Sequence, residues 1–409
     1  MKKIIVISSS ILLVAAIGIA ISLTNNNSFG PEEWTQYRMK SDKNAVYDNG
    51  GKPLEMDTFQ TTWQVRATPV VAGDRMFVGN HGTGDLHAFN IKTGEKIWQS
   101  QAPNWVHSEM VFSNDVVYVG FGNRFFQDGV RGTKESGVLA LDAATGEKLW
   151  KYNTEGEVMP TPVIYNENIY VATGDRHLYK IDKESGNLTE RTFLGAITSM
   201  SSPNLTEDVL YMGGSSDYTF TAFDLQEDAI KWQTDFPDVV AGLDDVPPAV
   251  SDGIVVTTAI EGSYDDPNHM MYAMDTNSGD IIWETSLGEG EMVSNNKSGA
   301  PIIHKGNIYV GSPITKTFYA YDLATGEKVW EFEDEIMKGP PVAKDGVVYF
   351  GNKNGVMHAL DTTTGDLIKQ IELDGALAPS GPIIMNDTLI VGSQDHQVYA
   401  VPLADFTGE

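Results

Sequence analysis

Residues 139–150 read LALDAATGEKLW, and three other stretches read almost the same: YAYDLATGEKVW at 319–330, YAMDTNSGDIIW at 272–283 and HAFNIKTGEKIW at 87–98. Fainter copies stand at 179–190, 221–232 and 358–369, and a last one at 399–403 stops before its turn. The Asp or Asn of this phrase (Asn90, Asp142, Asp182, Asp224, Asp275, Asp322, Asp361) recurs every 39–52 residues. A period of that size means propeller blades or a solenoid.

Working outward, each phrase is preceded by a short apolar run ending near Gly, such as IYVATG at 169–174 or VVYFG at 347–351. Before that comes a Pro-containing phrase, as at 68–71, 161–164, 301–303, 340–342 and 382–384. The apolar runs alternate or run continuously, as buried strands do. In the Asp-x-x-Thr-Gly turn the Asp side chain can accept turn N–H groups and Gly supplies a positive φ. The Trp that follows lies on an outer strand, where a large ring fills the gap between blades and buries on the order of 200 Å². Six Trp residues are assigned to this role: Trp63, Trp98, Trp150, Trp232, Trp283 and Trp330. Glu190 and Lys369 hold the slot in two repeats, so looser blade contacts are expected there.

The count closes at eight. The last repeat, 379–403, has three strands and no Trp strand, while 57–65 is a Trp strand with no blade of its own. Joining the two completes an all-β, eight-bladed β-propeller of four-stranded antiparallel blades. The N- and C-terminal strands then share the last blade, and the closure removes free sheet edges. The expected organisation is a signal peptide or signal-anchor helix over 1–27, a linker and entry segment over 28–57, and the propeller over 58–405.

These residues resemble the pyrroloquinoline-quinone (PQQ) repeat propeller family. The resemblance covers about 33–403, and WTQYR at 34–38 looks like the aromatic entry segment that many members carry before the first blade. Within the family the chain is similar to the propeller lipoprotein of the outer-membrane β-barrel assembly machine, which shares the eight blades and a length near 400. That likeness implies a non-catalytic scaffold docking a protein partner through loops on one face. Two departures stand out: the lipid-attachment Cys is missing, and Lys2 and Lys3 precede an apolar run from 4 to 23. A basic start before an apolar run reads as an export signal, and about 20 residues can span a bilayer. The expected location is therefore the cell membrane, single-pass with the propeller outside, or secreted.

The formal net charge of −28 repels phosphate backbones, which excludes nucleic acid as a partner class. With no Cys there is no disulfide, thiolate nucleophile or thiolate metal site. No Gly-x-Ser-x-Gly, His-Glu-x-x-His or P-loop occurs. The propeller is expected to be monomeric.

Each blade runs from strand A, innermost, to strand D, outermost. The Asp-Thr-Gly turns are C–D loops, so variation concentrates on the opposite face, made of D–A and B–C loops. The D–A connections contain Arg66, Trp105, His107, Glu157, Asp244, Asp245, Asn295, Asn296 and Lys338, a candidate ligand site at the channel mouth. Two B–C loops are expanded. Residues 121–136 carry Phe121, Arg124, Phe125, Phe126 and Arg131, aromatics and arginines of the kind that anchor interfaces, or else rings folded back on their own blade. Residues 260–270 carry Glu261, Tyr264, Asp265, Asp266 and His269.

Fold alone does not decide function. Beside the scaffold stand two alternatives. One is a quinoprotein dehydrogenase oxidising alcohols or sugars with PQQ and Ca²⁺, for which Glu157, Asn295 and Asp244 lie on the right kind of loop. It lacks the adjacent Cys pair that many such enzymes use against the quinone. The other is a polysaccharide-binding or -cleaving propeller, with Trp105 as platform beside Glu109 and Glu157. The scaffold reading implies no cofactor and no metal.

Overall fold

The computed structural model describes residues 28–55, 57–123, 135–198, 200–293 and 297–408. Eight antiparallel sheets form a closed ring, an eight-bladed β-propeller. Blade 1 sets the pattern with strands Val70–Ala72, Arg75–Gly79, Asp85–Asn90 and Lys96–Gln101, paired in that order. The B and C strands are buried along nearly their whole length because neighbouring blades cover both faces. The D strands alternate, as Lys96–Gln101 does. Blade 8 is built from both ends of the propeller: Ile383–Met385, Thr388–Gly392 and Gln397–Pro402 are completed by Asp57–Gln60 as the outermost strand.

The C–D turns show why the repeat needs its Asp. Asp142 Oδ1 accepts the N–H groups of Ala144 and Thr145 and the Thr145 hydroxyl. These bonds hold its carboxyl below the usual carboxylate range. Asp182, Asp275, Asp322 and Asp361 are lowered in the same way.

Five Trp residues seal the seams between blades. Each donates its indole N–H to the next blade's C–D turn, at the carbonyl just after the turn Asp. Trp98 bonds Ala143 at 2.9 Å; Trp150, Trp232, Trp283 and Trp330 bond Lys183, Thr276, Leu323 and Thr362 at 3.0 Å. Each ring lies on the Gly of that turn, so a Cβ at Gly186 would sit 2.5 Å from Trp150.

Trp63 does not belong to this set. In the outer strand of blade 8 it is Asp57 that pairs with Ala400, the register in which Trp98 pairs with Ala88. Trp63 follows the strand, is 44% exposed and stacks on His396 at 5.3 Å. Phe59, two residues on from the slot and on the same face, fills the seam with blade 1 by an edge contact to Phe89 at 5.7 Å.

The two seams expected to be loose are closed by other means. Opposite Glu190, the Lys180 ammonium reaches across to Asp228 of the next turn at 2.6 Å, and that turn has Asp where the others have Gly. At blade 7, Lys369 donates to the Asp405 carbonyl of a short helix, Ala404–Thr407. Phe406 of that helix packs on Tyr349 at 5.3 Å.

The entry segment runs as a strap around the inside of the ring and bonds every blade in turn, at the inner strand or, in blade 1, at the turn that follows it. Gly30 donates to Gly73 of blade 1, and Trp34 exchanges both backbone bonds with Phe112 of blade 2. Ile164 of blade 3 donates to Thr35, and Leu205 of blade 4 donates to the Gln36 side chain. Val250, Ile303 and Ile384 of blades 5, 6 and 8 donate to Ser41, Asp42 and Ala45. Ala343 of blade 7 donates to the Asn44 side chain, and Val46–Tyr47 then pairs parallel with Ile383–Met385. The inner strands would otherwise present unpaired N–H groups to the channel, and the strap satisfies them.

The expected signal or anchor over 1–27 lies outside the described residues. Among the described residues no helix is long and apolar enough to cross a membrane.

Candidate functional site

Every D–A connection turns inward just before its A strand, and the eight together line one cavity of about 60 Å³ on the propeller axis. Blades 1 to 4 contribute Arg66, Glu109, Thr161 and Ser202, and blades 5 to 8 contribute Asp245, Ala300, Lys338 and Ser380. Hydroxyls tie neighbouring connections together. Thr161 accepts the Glu109 N–H and donates its own N–H to the Ser202 hydroxyl, while the Thr68 hydroxyl bonds the Ser380 carbonyl. Tyr37 of the strap also lines the cavity, so the strap is its floor and the mouth opens on the D–A side.

Charges converge here. Lys338 reaches both carboxylate oxygens of Asp245, at 2.8 and 2.9 Å. Arg66 has no hydrogen-bond partner among the described residues, and burial lowers its pKa against the pull of Asp245. Burial drives the His107 imidazole well below its ordinary value, helped by His81, Arg66 and Lys338, so the ring is neutral. His81, 4.3 Å from His107 between ring centres, is pushed by burial down to about 3. Below them, Arg38 is fully buried and donates to the carbonyls of Lys43, Ser380 and Pro341. The Arg38 backbone N–H bonds Glu109 at 2.9 Å. Burial raises the Glu109 carboxyl to about 7 and lowers the Lys43 ammonium to about 7.

Of the nine residues expected at the channel mouth, Arg66, His107, Asp245 and Lys338 line the cavity. Trp105 stands beside it, 4.9 Å from His81 and 5.5 Å from His107 between ring centres. Glu157 and Asp244 do not line it. Glu157 is buried against Gly174, and Asp244 lies in the short helix Leu243–Asp245, its carbonyl taken by Met200 and Ser201. Asn295 and Asn296 fall outside the described residues, as do Arg124, Phe125, Phe126 and Arg131. Phe121 is the last residue of strand Val116–Phe121 and is fully buried, so it is a core residue and gives a partner nothing to touch. Tyr37, Arg38 and Lys43 were missed as site residues. Their only sequence signal is two cations beside an aromatic in a segment with no strand period.

A tricyclic quinone does not fit this cavity. At 10–15 Å³ per water-sized group, it holds on the order of five heavy atoms. Of the oxygen donors expected for Ca²⁺, Glu157 and Asp244 lie outside its lining, and Asn295 falls outside the described residues. The sugar platform is likewise not assembled: Glu109 is 1% exposed and Glu157 is 5% exposed.

A family model described as outer membrane protein assembly factor BamB matches residues 28–128, 122–226 and 190–405. A tetrathionate hydrolase of Acidithiobacillus ferrooxidans is 26% identical over 344 residues, 78% of this chain and 68% of that protein. BamB of Burkholderia pseudomallei is 24% identical over 346 residues, 81% of this chain and 83% of that one. Among solved structures, BamB from Moraxella catarrhalis superposes with a TM-score of 0.64 at 19% identity, over 84% of this chain and 98% of that one. A europium-containing methanol dehydrogenase gives 0.64 at 14% identity, over 92% of this chain and 90% of that one. The last two likenesses speak for the fold alone. With a family model matched along nearly the whole propeller, the chain belongs to the PQQ-repeat β-propeller family described by outer membrane protein assembly factor BamB.

Proposed function

We propose that this chain is a docking platform of the cell envelope, exported by its first 27 residues and held at or near a membrane, with a protein partner on its D–A/B–C face. The observation that carries this reading is the B–C hairpin of blade 5. Its strands, Ile254–Gly262 and Pro267–Asp275, are nine residues long, against five or six in the corresponding strands of the other blades. The extra length lifts the turn clear of the face. Tyr264 in that turn is 56% exposed and lies 5.2 Å from the Lys297 ammonium, an aromatic with a cation of the kind found at interface anchors. The assembly-factor relatives support the reading by likeness.

The test is site-specific photo-crosslinking in the native cell, with the crosslinker at Tyr264 and, as control, at Thr325 in a C–D turn on the opposite face. One discrete adduct from Tyr264 and none from Thr325 is the expected result. Equal labelling from both positions, or none from Tyr264, overturns the reading.

A further inference from the structure

The geometry points to a second capacity, independent of protein docking: the axial cavity binds a small oxyanion of about five heavy atoms between Arg66, His107, Ser108 and Ser380. Three observations converge on it.

The first is unfilled hydrogen-bonding capacity. Among the described residues, His107 Nε2, Ser108 Oγ and Ser380 Oγ have no partner and expose almost no surface, so each would meet a cavity occupant through a small turn of its side chain. All three residues line the cavity. A buried polar group left without a partner is costly, so one that persists calls for something else to supply the bond. Glu109 Oε1, also on the wall, is unpartnered as well.

The second is charge. Arg66 and Lys338 line the cavity and Arg38 lies under its floor, while Asp245 is the carboxylate on the wall already engaged by Lys338. Glu109, the other acid on the wall, is raised by burial to about 7, so it opposes an anion less the further the pH falls below that value. The Arg66 guanidinium is thus a cation without a bonded anion, in a chain whose net charge is −28. Water would satisfy the hydroxyls and the imidazole but leave that charge uncompensated. An anion does both, and charge-assisted bonds are about twice as strong as neutral ones.

The third is size. The cavity's 60 Å³ suits sulfate, phosphate, thiosulfate or acetate and is too small for a sugar or a nucleotide. Neutral His107 can present an N–H from Nε2, and the two hydroxyls can turn to donate.

The test is thermal denaturation of the full-length chain in detergent, at fixed ionic strength set with chloride, titrating sodium sulfate, phosphate, thiosulfate and acetate separately. A saturable rise in Tm with at least one of them is expected. Arg66→Gln should raise the apparent Kd by about tenfold or more, each titration being read against that variant's own Tm without anion. Arg75→Gln, a surface change beside Asp115, should leave the titration unaltered. A selenate soak of crystals should then place an anomalous peak on the axis beside Arg66. The comparison of tetrahedral anions with acetate tells which oxyanion the site prefers. No saturable shift with any anion up to on the order of 10 mM, a water-filled cavity, overturns the inference. A shift that survives Arg66→Gln overturns it too, since the anion then binds elsewhere.

Discussion

The ring of Trp150 occupies the space that a Cβ on Gly186 would need. Its indole N–H bonds the Lys183 carbonyl at 3.0 Å, and the added carbon would lie 2.5 Å from the ring. Gly186 has φ +70, and Gly94 in the first blade has φ +72, but nothing lies within 4 Å of a Cβ on Gly94, which faces the Asp57 slot. The two positions share the backbone cost and differ in the seam. Gly94→Ala should therefore lose about 1–2 kcal/mol from the left-handed conformation alone. Gly186→Ala should lose about 1–3 kcal/mol more from overpacking. Urea denaturation of the two variants measures the difference, and equal losses would mean that the ring does not depend on the glycine.

The seam between blades 3 and 4 makes the opposite forecast. Lys180 and Asp228 are partly exposed, and such pairs contribute little. A double-mutant cycle with Lys180→Met and Asp228→Ala should give a coupling of at most about 1 kcal/mol, falling with added salt. A coupling above about 2 kcal/mol would show that the ion pair substitutes for a Trp in strength as well as in place.

Arg38 is a buried cation whose guanidinium donates to three carbonyls contributed by the strap and by blades 7 and 8. Arg38→Met removes the charge and leaves the Lys43 and Pro341 carbonyls without their donor, while the Ser380 carbonyl keeps the Thr68 hydroxyl. Leaving a buried carbonyl without a donor costs about 1–3 kcal/mol each. The expected signature is a lowered Tm together with faster proteolysis within residues 28–47, because the strap is what Arg38 fastens. Loss of stability without strap cleavage would contradict that role.

Glu109 gives a pH dependence of known sign. Its folded pKa is raised from 4.5 to about 7, first by burial, against the opposing pull of Arg38 and Lys43; Tyr37 and Thr68 also face it. Between those two pH values the folded state holds a proton that the unfolded state has released, so this group's contribution to stability falls as pH rises from 4.5 to about 7. Lys43 acts in the other window: its pKa is lowered from 10.5 to about 7, so its contribution rises with pH above about 7. Glu109→Gln keeps an acceptor for the Arg38 N–H and cannot ionise. Its Tm minus that of the parent should grow between pH 4.5 and 7 and level off above. A difference constant with pH would mean that Glu109 is not held near neutrality.

The blades, their number and the shared last blade were legible because each rests on a pattern repeated in sequence. The Asp142 turn and the Trp150 slot recur at fixed offsets, and the seven copies of the turn left little choice. Trp63 misled because blade 8 has only four residues of outer strand, Asp57–Gln60, too few for a period to set the register. A Trp six residues past the true slot looked like the marker. The axial cavity was half legible. Chain order gives the loops that reach the axis but not the direction of each side chain, so Arg66, His107, Asp245 and Lys338 were found together with Glu157 and Asp244, which turn aside. The strap was legible only as an entry segment with WTQYR at 34–38; its course around the ring was not, since its bonds reach groups up to 357 residues away.

Because the strap touches the blades in the order in which they are made, its synthesis comes first and its seating comes last. Residues 28–47 leave the ribosome before any inner strand exists to receive them. Their final partner, Ile383–Met385, is among the last elements to emerge. The segment therefore waits, unpaired and carrying Arg38 and Lys43 fully hydrated, until the ring can close around it. Closure of blade 8 by Asp57–Gln60 draws the strap into the same step, so the axis is dehydrated and the ring locked at once. A chain cut short before blade 8 would keep its early blades and lose both, which makes the strap a built-in check that the propeller is complete.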